Sequence, residues 1–169
     1  MKIAIVGATG LVGTNIINLC EQYFDVDVEY SLFASKSSEG KKIKINNKDI
    51  TVKELNKENI GEYNISLFSA GGERSKEYAT NFIDNGSFVI DNSSVFRMND
   101  EVPLVVYGIN ENIITKESKL ISNPNCTTMG LVMALKPLHD KYTLSSMTPV
   151  AYQAVSGSCL LYTSPSPRD

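Results

Sequence analysis

Of the three cysteines in the 169-residue chain, Cys126 has the setting that suggests chemistry. It stands in Ser122-Asn123-Pro124-Asn125-Cys126-Thr127-Thr128, just before the run MGLVMALKPL, and the spacing there predicts a helix from about Thr128 to Tyr142. A helix N-terminus offers N–H groups without intrahelical partners and the positive end of the helix dipole. These stabilise a thiolate, and the same N–H groups can hold the oxyanion formed when a carbonyl is attacked. Cys126 is therefore a candidate catalytic nucleophile. Cys20, on the pattern of the first helix, reads as a small buried hydrophobe. A nucleophile needs a base, and the only histidine, His139, would lie on the order of 20 Å along the helix axis from Cys126. His139 reads as a surface residue, and the base is expected to lie outside this sequence.

A second constellation lies at the amino terminus. VGATGLVG puts Gly7, Gly10 and Gly13 directly after an expected strand and at the start of an expected helix. In that setting Gly7 permits the tight turn, Gly10 lets backbone approach a pyrophosphate, and Gly13 lets helix and sheet pack closely. The spacing is G-x-x-G-x-x-G, so the strand-turn-helix context carries the dinucleotide reading more than the pattern does. Past the second strand, FASKSSEGK has no carboxylate before Glu39 to take ribose hydroxyls. Ser35, Lys36, Ser37 and Ser38 can instead surround a 2′-phosphate with donors and one positive charge, which favours NADP, with NAD as the alternative.

The elements that must position these residues alternate. KIAIV, VDVEYSLFA, NISLFSA and SFVIDNS read as strands, while LVGTNIINLCEQY and SKEYATNFIDN read as helices. The order predicts an α/β fold, a doubly wound Rossmann-type parallel sheet. In the first helix Val12, Ile16, Leu19 and Tyr23 form an apolar stripe expected to face the sheet. The segment 41–54 reads as an edge hairpin turning at Asn46-Asn47. After the second long helix, SSMTPVAYQAV reads as the opening strand of a further domain, although Pro149 restricts it to an edge or irregular start.

Composition narrows the partners. Forty-two per cent of residues are hydrophobic, and 16 basic against 19 acidic side chains, interspersed, give a net charge of -3. This argues against a nucleic-acid surface or a polybasic membrane patch and for small-molecule partners. The start of the chain lacks the pattern of a signal peptide and no window is apolar enough for a membrane span, so a cytoplasmic location is expected. The cysteines are too few and scattered for a disulfide framework or metal cluster, so no metal site is expected.

Five blocks in order, GATGLVG, SAGGERSKEYA, VIDNSSVFRMNDEVPLVV, SNPNCTT and YQAVSG, resemble the aspartate-semialdehyde dehydrogenase family over residues 2–158. The resemblance implies reduction of L-aspartyl 4-phosphate by NADPH, giving aspartate semialdehyde and phosphate on the route to lysine, threonine and methionine. It implies that Cys126 forms a thioacyl enzyme, that Arg97 and Asn125 hold the phosphate, and that Gln153 orients the substrate. Thr9, Gly10, Leu11 and Val12 would line the cofactor pyrophosphate, and Ser156 and Gly157 would approach the nicotinamide. Three departures stand out. Ser37 replaces the arginine that many members direct at the 2′-phosphate, YGIN at 107–110 replaces PEVN, and members continue for roughly the same length again. That remainder carries the acid/base histidine, an arginine for the substrate carboxylate and most of the dimer interface, so a homodimer is implied at full length.

The expected domains are a nucleotide-binding domain, 1–127, and the start of a truncated α+β catalytic and dimerisation domain, 128–158. The final CLLYTSPSPRD, 159–169, fits neither; it matches one reading frame of a transposase adapter used in DNA library preparation and reads as a non-native tail. A chain ending so is expected to be inactive. N-acetyl-γ-glutamyl-phosphate reductase shares the thioester chemistry but usually reads Gly-Cys-Tyr at its cysteine. Glyceraldehyde-3-phosphate dehydrogenase shares Cys-Thr-Thr but has a different loop. A non-catalytic dinucleotide-binding module, redox-sensing through Cys126, is the alternative outside enzymes.

Overall fold

The computed structural model describes residues 1–24 and 27–152. Gln153, Ser156, Gly157 and the tail lie outside the described residues. An uninterrupted apolar run suits a strand covered on both faces, and β1 (Lys2–Val6) is such a strand, with Ile3, Ala4, Ile5 and Val6 fully buried. It pairs in parallel with β2 (Glu29–Ala34) on one side and β5 (Ile65–Phe68) on the other. β6 (Phe88–Asp91) and β7 (Leu120–Ser122) continue the sheet beyond β5, while β4 (Lys48–Glu54) lies parallel to β2 and β3 (Lys42–Ile45) pairs antiparallel with β4. The order is β3-β4-β2-β1-β5-β6-β7. Because the winding reverses at β1, the carboxyl ends of β1 and β5 border the crevice where doubly wound folds take ligands.

The hairpin forms at the sheet edge as its sequence predicts. Asn46 and Asn47 have φ of 49° and 62°, the left-handed pair a two-residue turn requires, and exposed Lys42 and Lys44 charge the edge strand. β7 escaped the sequence reading because three residues carry too little periodicity to register.

Alternate residues of the strands feed two cores. Ile3, Ile5 and Leu32 pack with Ile17 and Cys20 of α1 (Leu11–Tyr23), whereas Ala4, Val6, Phe33 and Phe68 pack with Ala79 and Phe82 of α2 (Gly72–Asp84). Phe82 meets Phe33 and Phe68 edge-on at 5.7 and 5.1 Å. The expected stripe on α1 is corrected here. Gly13, Ile17 and Cys20 are the buried face, with Ile16 partly buried against the same core, while Val12, Leu19 and Tyr23 are exposed. The cause is steric: the helix must turn its bare glycine to the backbone of Gly7 and Ala8 in the loop after β1, and Gly13 sets the face.

Residues 1–129 form one compact unit and the chain from Gly130 a second. α3 (Cys126–Tyr142) starts in the first unit. In the second, residues 144–152 carry no strand, contrary to the expectation for SSMTPVAYQAV; Pro149 lacks a ladder donor, and no described strand pairs with this segment.

Candidate active site

The glycine loop is built by close backbone approach. Gly7 has φ of +89°, and a Cβ there would stand 2.5 Å from the carbonyl oxygen of Ser69 in the loop after β5. A Cβ on Gly13 would stand 2.0 Å from the Gly7 oxygen. Gly10, which caps α1, would place a Cβ no nearer than 3.4 Å to anything, so its outer side is open. Gly10 N–H donates to Gly7 O at 3.0 Å and Thr14 N–H to Gly10 O at 2.9 Å, while the N–H groups of Leu11, Val12 and Gly13 find no acceptor among the described residues. With no acidic side chain in the first turn, these donors fit a diphosphate.

After β2 a short 3₁₀ turn, Lys36–Ser38, follows Ser35. The hydroxyls of Ser35 and Ser37 lie 3.0 Å apart, and Lys36 and Ser37 are exposed. Ser38 departs from its expected use as a free donor. It is buried, and its Oγ accepts from Thr9 Oγ1 at 3.4 Å and Lys41 Nζ at 3.3 Å, so it ties the glycine loop to the turn after β2.

At the sulfur end, β7 runs through Asn123 and Pro124 to Asn125, which caps α3. Asn125 Oδ1 accepts from the Thr127 N–H at 3.0 Å and from Thr127 Oγ1 at 2.5 Å, and its carbonyl accepts from the Met129 N–H at 2.9 Å. Using Oδ1 in this way leaves the Asn125 amide NH₂ to donate elsewhere. Cys126 is the first residue of α3 and is exposed; its N–H and that of Thr128 find no acceptor among the described residues. Half-buried Arg97 donates from Nε to Asn123 O at 2.8 Å and from Nη2 to Asn92 O at 3.1 Å. Two carbonyls thus clamp the guanidinium between the loops after β6 and β7, and its remaining N–H groups stay available to an anion.

Sequence reasoning missed the supports of this clamp. Fully buried Asp91 accepts from Ser75 Oγ of α2 at 2.6 Å and from Ser93 Oγ at 2.5 Å, and Asn123 N–H donates to Asp91 O at 2.8 Å. The available signal was a carboxylate ending an apolar strand inside DNSS. Cys20 is buried as expected, and burial pushes its thiol up to about 11. His139 sits in the last turn of α3, whereas Cys126 opens the first. Among the described residues no cluster of histidine, cysteine and carboxylates is arranged to hold a metal, and no helix is long and apolar enough to cross a membrane.

A Rossmann-type parallel sheet with a diphosphate-compatible glycine loop after its first strand defines a nucleotide-binding α/β domain, here with an exposed cysteine at the mouth of a later helix. Residues 2–117 match the model of the semialdehyde dehydrogenase NAD-binding domain, and the chain belongs to that family. It is 48% identical over 161 residues to the aspartate-semialdehyde dehydrogenase of Aquifex aeolicus, covering 93% of this chain and 47% of that protein. With the Bacillus subtilis enzyme of the same name it shares 40% identity over 159 residues, covering 94% and 46%. Among solved structures it is similar to aspartate semialdehyde dehydrogenase II from Vibrio cholerae complexed with ASA, with a TM-score of 0.76, 41% identity and coverage of 82% and 46%. It is also similar to the Candida albicans enzyme with NADP, with a TM-score of 0.67, 28% identity and coverage of 85% and 48%. The chain spans about half the length of the curated relatives it matches.

Proposed function

We propose that this chain is the nucleotide-binding half of an enzyme that reduces L-aspartyl 4-phosphate to aspartate semialdehyde and phosphate with NADPH, serving lysine, threonine and methionine synthesis. The observation that carries this reading is Cys126 as the first residue of an Asn125-capped helix in a member of the semialdehyde dehydrogenase family.

In this reading the Cys126 sulfur attacks the acyl carbon, a C–S bond forms, and the C–O bond to phosphate breaks. The N–H groups of Cys126 and Thr128 receive the oxyanion charge that develops, and the free N–H groups of Arg97 and Asn125 receive the departing phosphate. Leu11, Val12 and Gly13 would hold the dinucleotide through its diphosphate, with Gly7, Thr9 and Gly10 shaping the loop and Ser35, Lys36 and Ser37 facing the 2′ position. When bound, NADPH would supply hydride; Cys126 would keep the acyl carbon within its reach and leave as thiolate when the aldehyde is released. Gln153 would orient the substrate, with Ser156 and Gly157 toward the nicotinamide. The acid/base belongs to the half of the relatives' length that this chain does not span, as does the surface of a cytoplasmic homodimer.

The test uses the chain extended to its relatives' length. Phosphate-dependent reduction of NADP by aspartate semialdehyde is expected, and Cys126→Ala should abolish it by at least roughly 10³-fold while leaving NADPH binding intact. Undiminished turnover in Cys126→Ala would refute the thioacyl route. A protein that binds nucleotide but never yields acyl-cysteine in mass spectra would be a binding module.

A further inference from the structure

At the carboxyl end of β2 a cleft of about 450 Å³ opens between the turn after that strand and α2. Ser35, Lys36 and Ser37 form one wall, and Arg74 of α2 lies in the other. This is where doubly wound folds read the 2′ position of a dinucleotide, roughly twenty residues past the glycine loop. From these observations we infer that Arg74, acting across the cleft from Lys36, is the residue that selects a 2′-phosphate. The inference rests on the dinucleotide reading above and assigns its coenzyme specificity to a side chain outside the loop where specificity is usually sought.

Two observations support the assignment. Arg74 is half-buried yet forms no ion pair among the described residues, although Glu54, Glu73 and Glu77 line the same cleft. A guanidinium left without a carboxylate, beside the hydrogen-bonded hydroxyls of Ser35 and Ser37 and an exposed lysine, presents the planar fork that phosphate oxygens match. The charge balance sharpens the point. Two cations face three carboxylates in this cleft, and removing Arg74 would leave Lys36 alone against all three. A phosphate dianion would then be repelled, whereas a ribose hydroxyl would not, and Glu54, paired in register with Ala34 at the end of β2, would be near enough to accept from it. Ser37 adds a hydroxyl but no charge, so selection turns on the arginine.

The test is equilibrium titration of the 169-residue chain with NADPH and NADH, followed by nicotinamide fluorescence, with 2′,5′-ADP and 5′-AMP as competitors. Wild type should favour NADPH and 2′,5′-ADP. Arg74→Leu should weaken both by roughly 30-fold and leave NADH within about twofold, with Arg74→Lys intermediate because it keeps charge without the fork. Glu54→Gln, which leaves the arginine in place, should strengthen NADPH and not NADH. If Arg74→Leu leaves the NADPH/NADH ratio unchanged while wild type binds nucleotide, the assignment of Arg74 is wrong and the dinucleotide site stands. If wild type binds neither coenzyme nor either competitor, the dinucleotide reading fails and takes this assignment with it.

Discussion

The glycine loop and the mouth of α3 are both strand-to-helix turns at the carboxyl end of one sheet, and they are held by opposite means. At the first, backbone packs on backbone: Gly13 lies under Gly7, Gly7 lies under Ser69, and the capping residue Gly10 offers no side-chain hydrogen bond. At the second, side chains do the holding, through the Asn125 cap and the Arg97 clamp on Asn92 and Asn123. A bare cap leaves the N–H groups at the start of α1 to a diphosphate. The Asn125 cap takes only the Thr127 N–H and leaves those flanking the sulfur. Glycine and tight backbone packing thus fix the first turn with its donors bare, whereas polar side chains from several segments fix the second and leave the donors beside Cys126 open.

The largest expected effect separates two glycines within the loop. Gly13→Ala pushes a methyl to 2.0 Å from a backbone oxygen that cannot withdraw, so urea denaturation should show a loss of about 4 kcal/mol, or failure to fold. Gly10→Ala meets only an oxygen at 3.4 Å and should change stability by less than about 0.5 kcal/mol while weakening NADPH binding, because its methyl occupies the open side. If both substitutions cost the same stability, the loop is not held by close approach as described.

That asymmetry also explains what was legible in the sequence. Gly7, Gly10 and Gly13 announce a strand-turn-helix because their reason for being glycine is local, and the hairpin at Asn46-Asn47 is legible for the same reason. Cys126 was legible as the first turn of a helix. Its supports were not: Arg97 and Asn123 are 26 residues apart and meet only because β6 and β7 are neighbours. Asp91 likewise reaches Ser75 through the packing of α2 on the sheet. The apolar stripe of α1 was misread because two stripes of similar strength share that helix, and Gly13 decides between them through a contact outside it.

A smaller effect probes the side-chain end. Asn125→Ala removes the cap from α3 and should cost about 1 kcal/mol, seen as faster amide exchange in the first turn of that helix. Asn125→Asp keeps an oxygen acceptor and should restore the stability but not the free amide donor, so comparing the two variants separates the capping role from the proposed hold on phosphate. A cost below about 0.3 kcal/mol for Asn125→Ala would mean that the turn is held by the Arg97 clamp alone.

The smallest effect concerns a hydroxyl. Elsewhere in the first unit, buried hydroxyls are paired: Ser66 with Ser87 at 2.7 Å, and Ser38 with Thr9 and Lys41. At the sulfur end Ser122, the last residue of β7, is fully buried and its Oγ has no partner among the described residues, while its backbone is engaged by Pro103 and Val105. A hydroxyl desolvated without a partner opposes folding, and serine and alanine differ by little else in volume. Ser122→Ala should therefore raise stability by up to about 1 kcal/mol, with an unchanged urea m-value. A loss of stability instead would show that the hydroxyl has a partner in the folded protein. The two turns would then be backed by equally well satisfied buried polar groups, and their difference would lie only in what they present to a ligand.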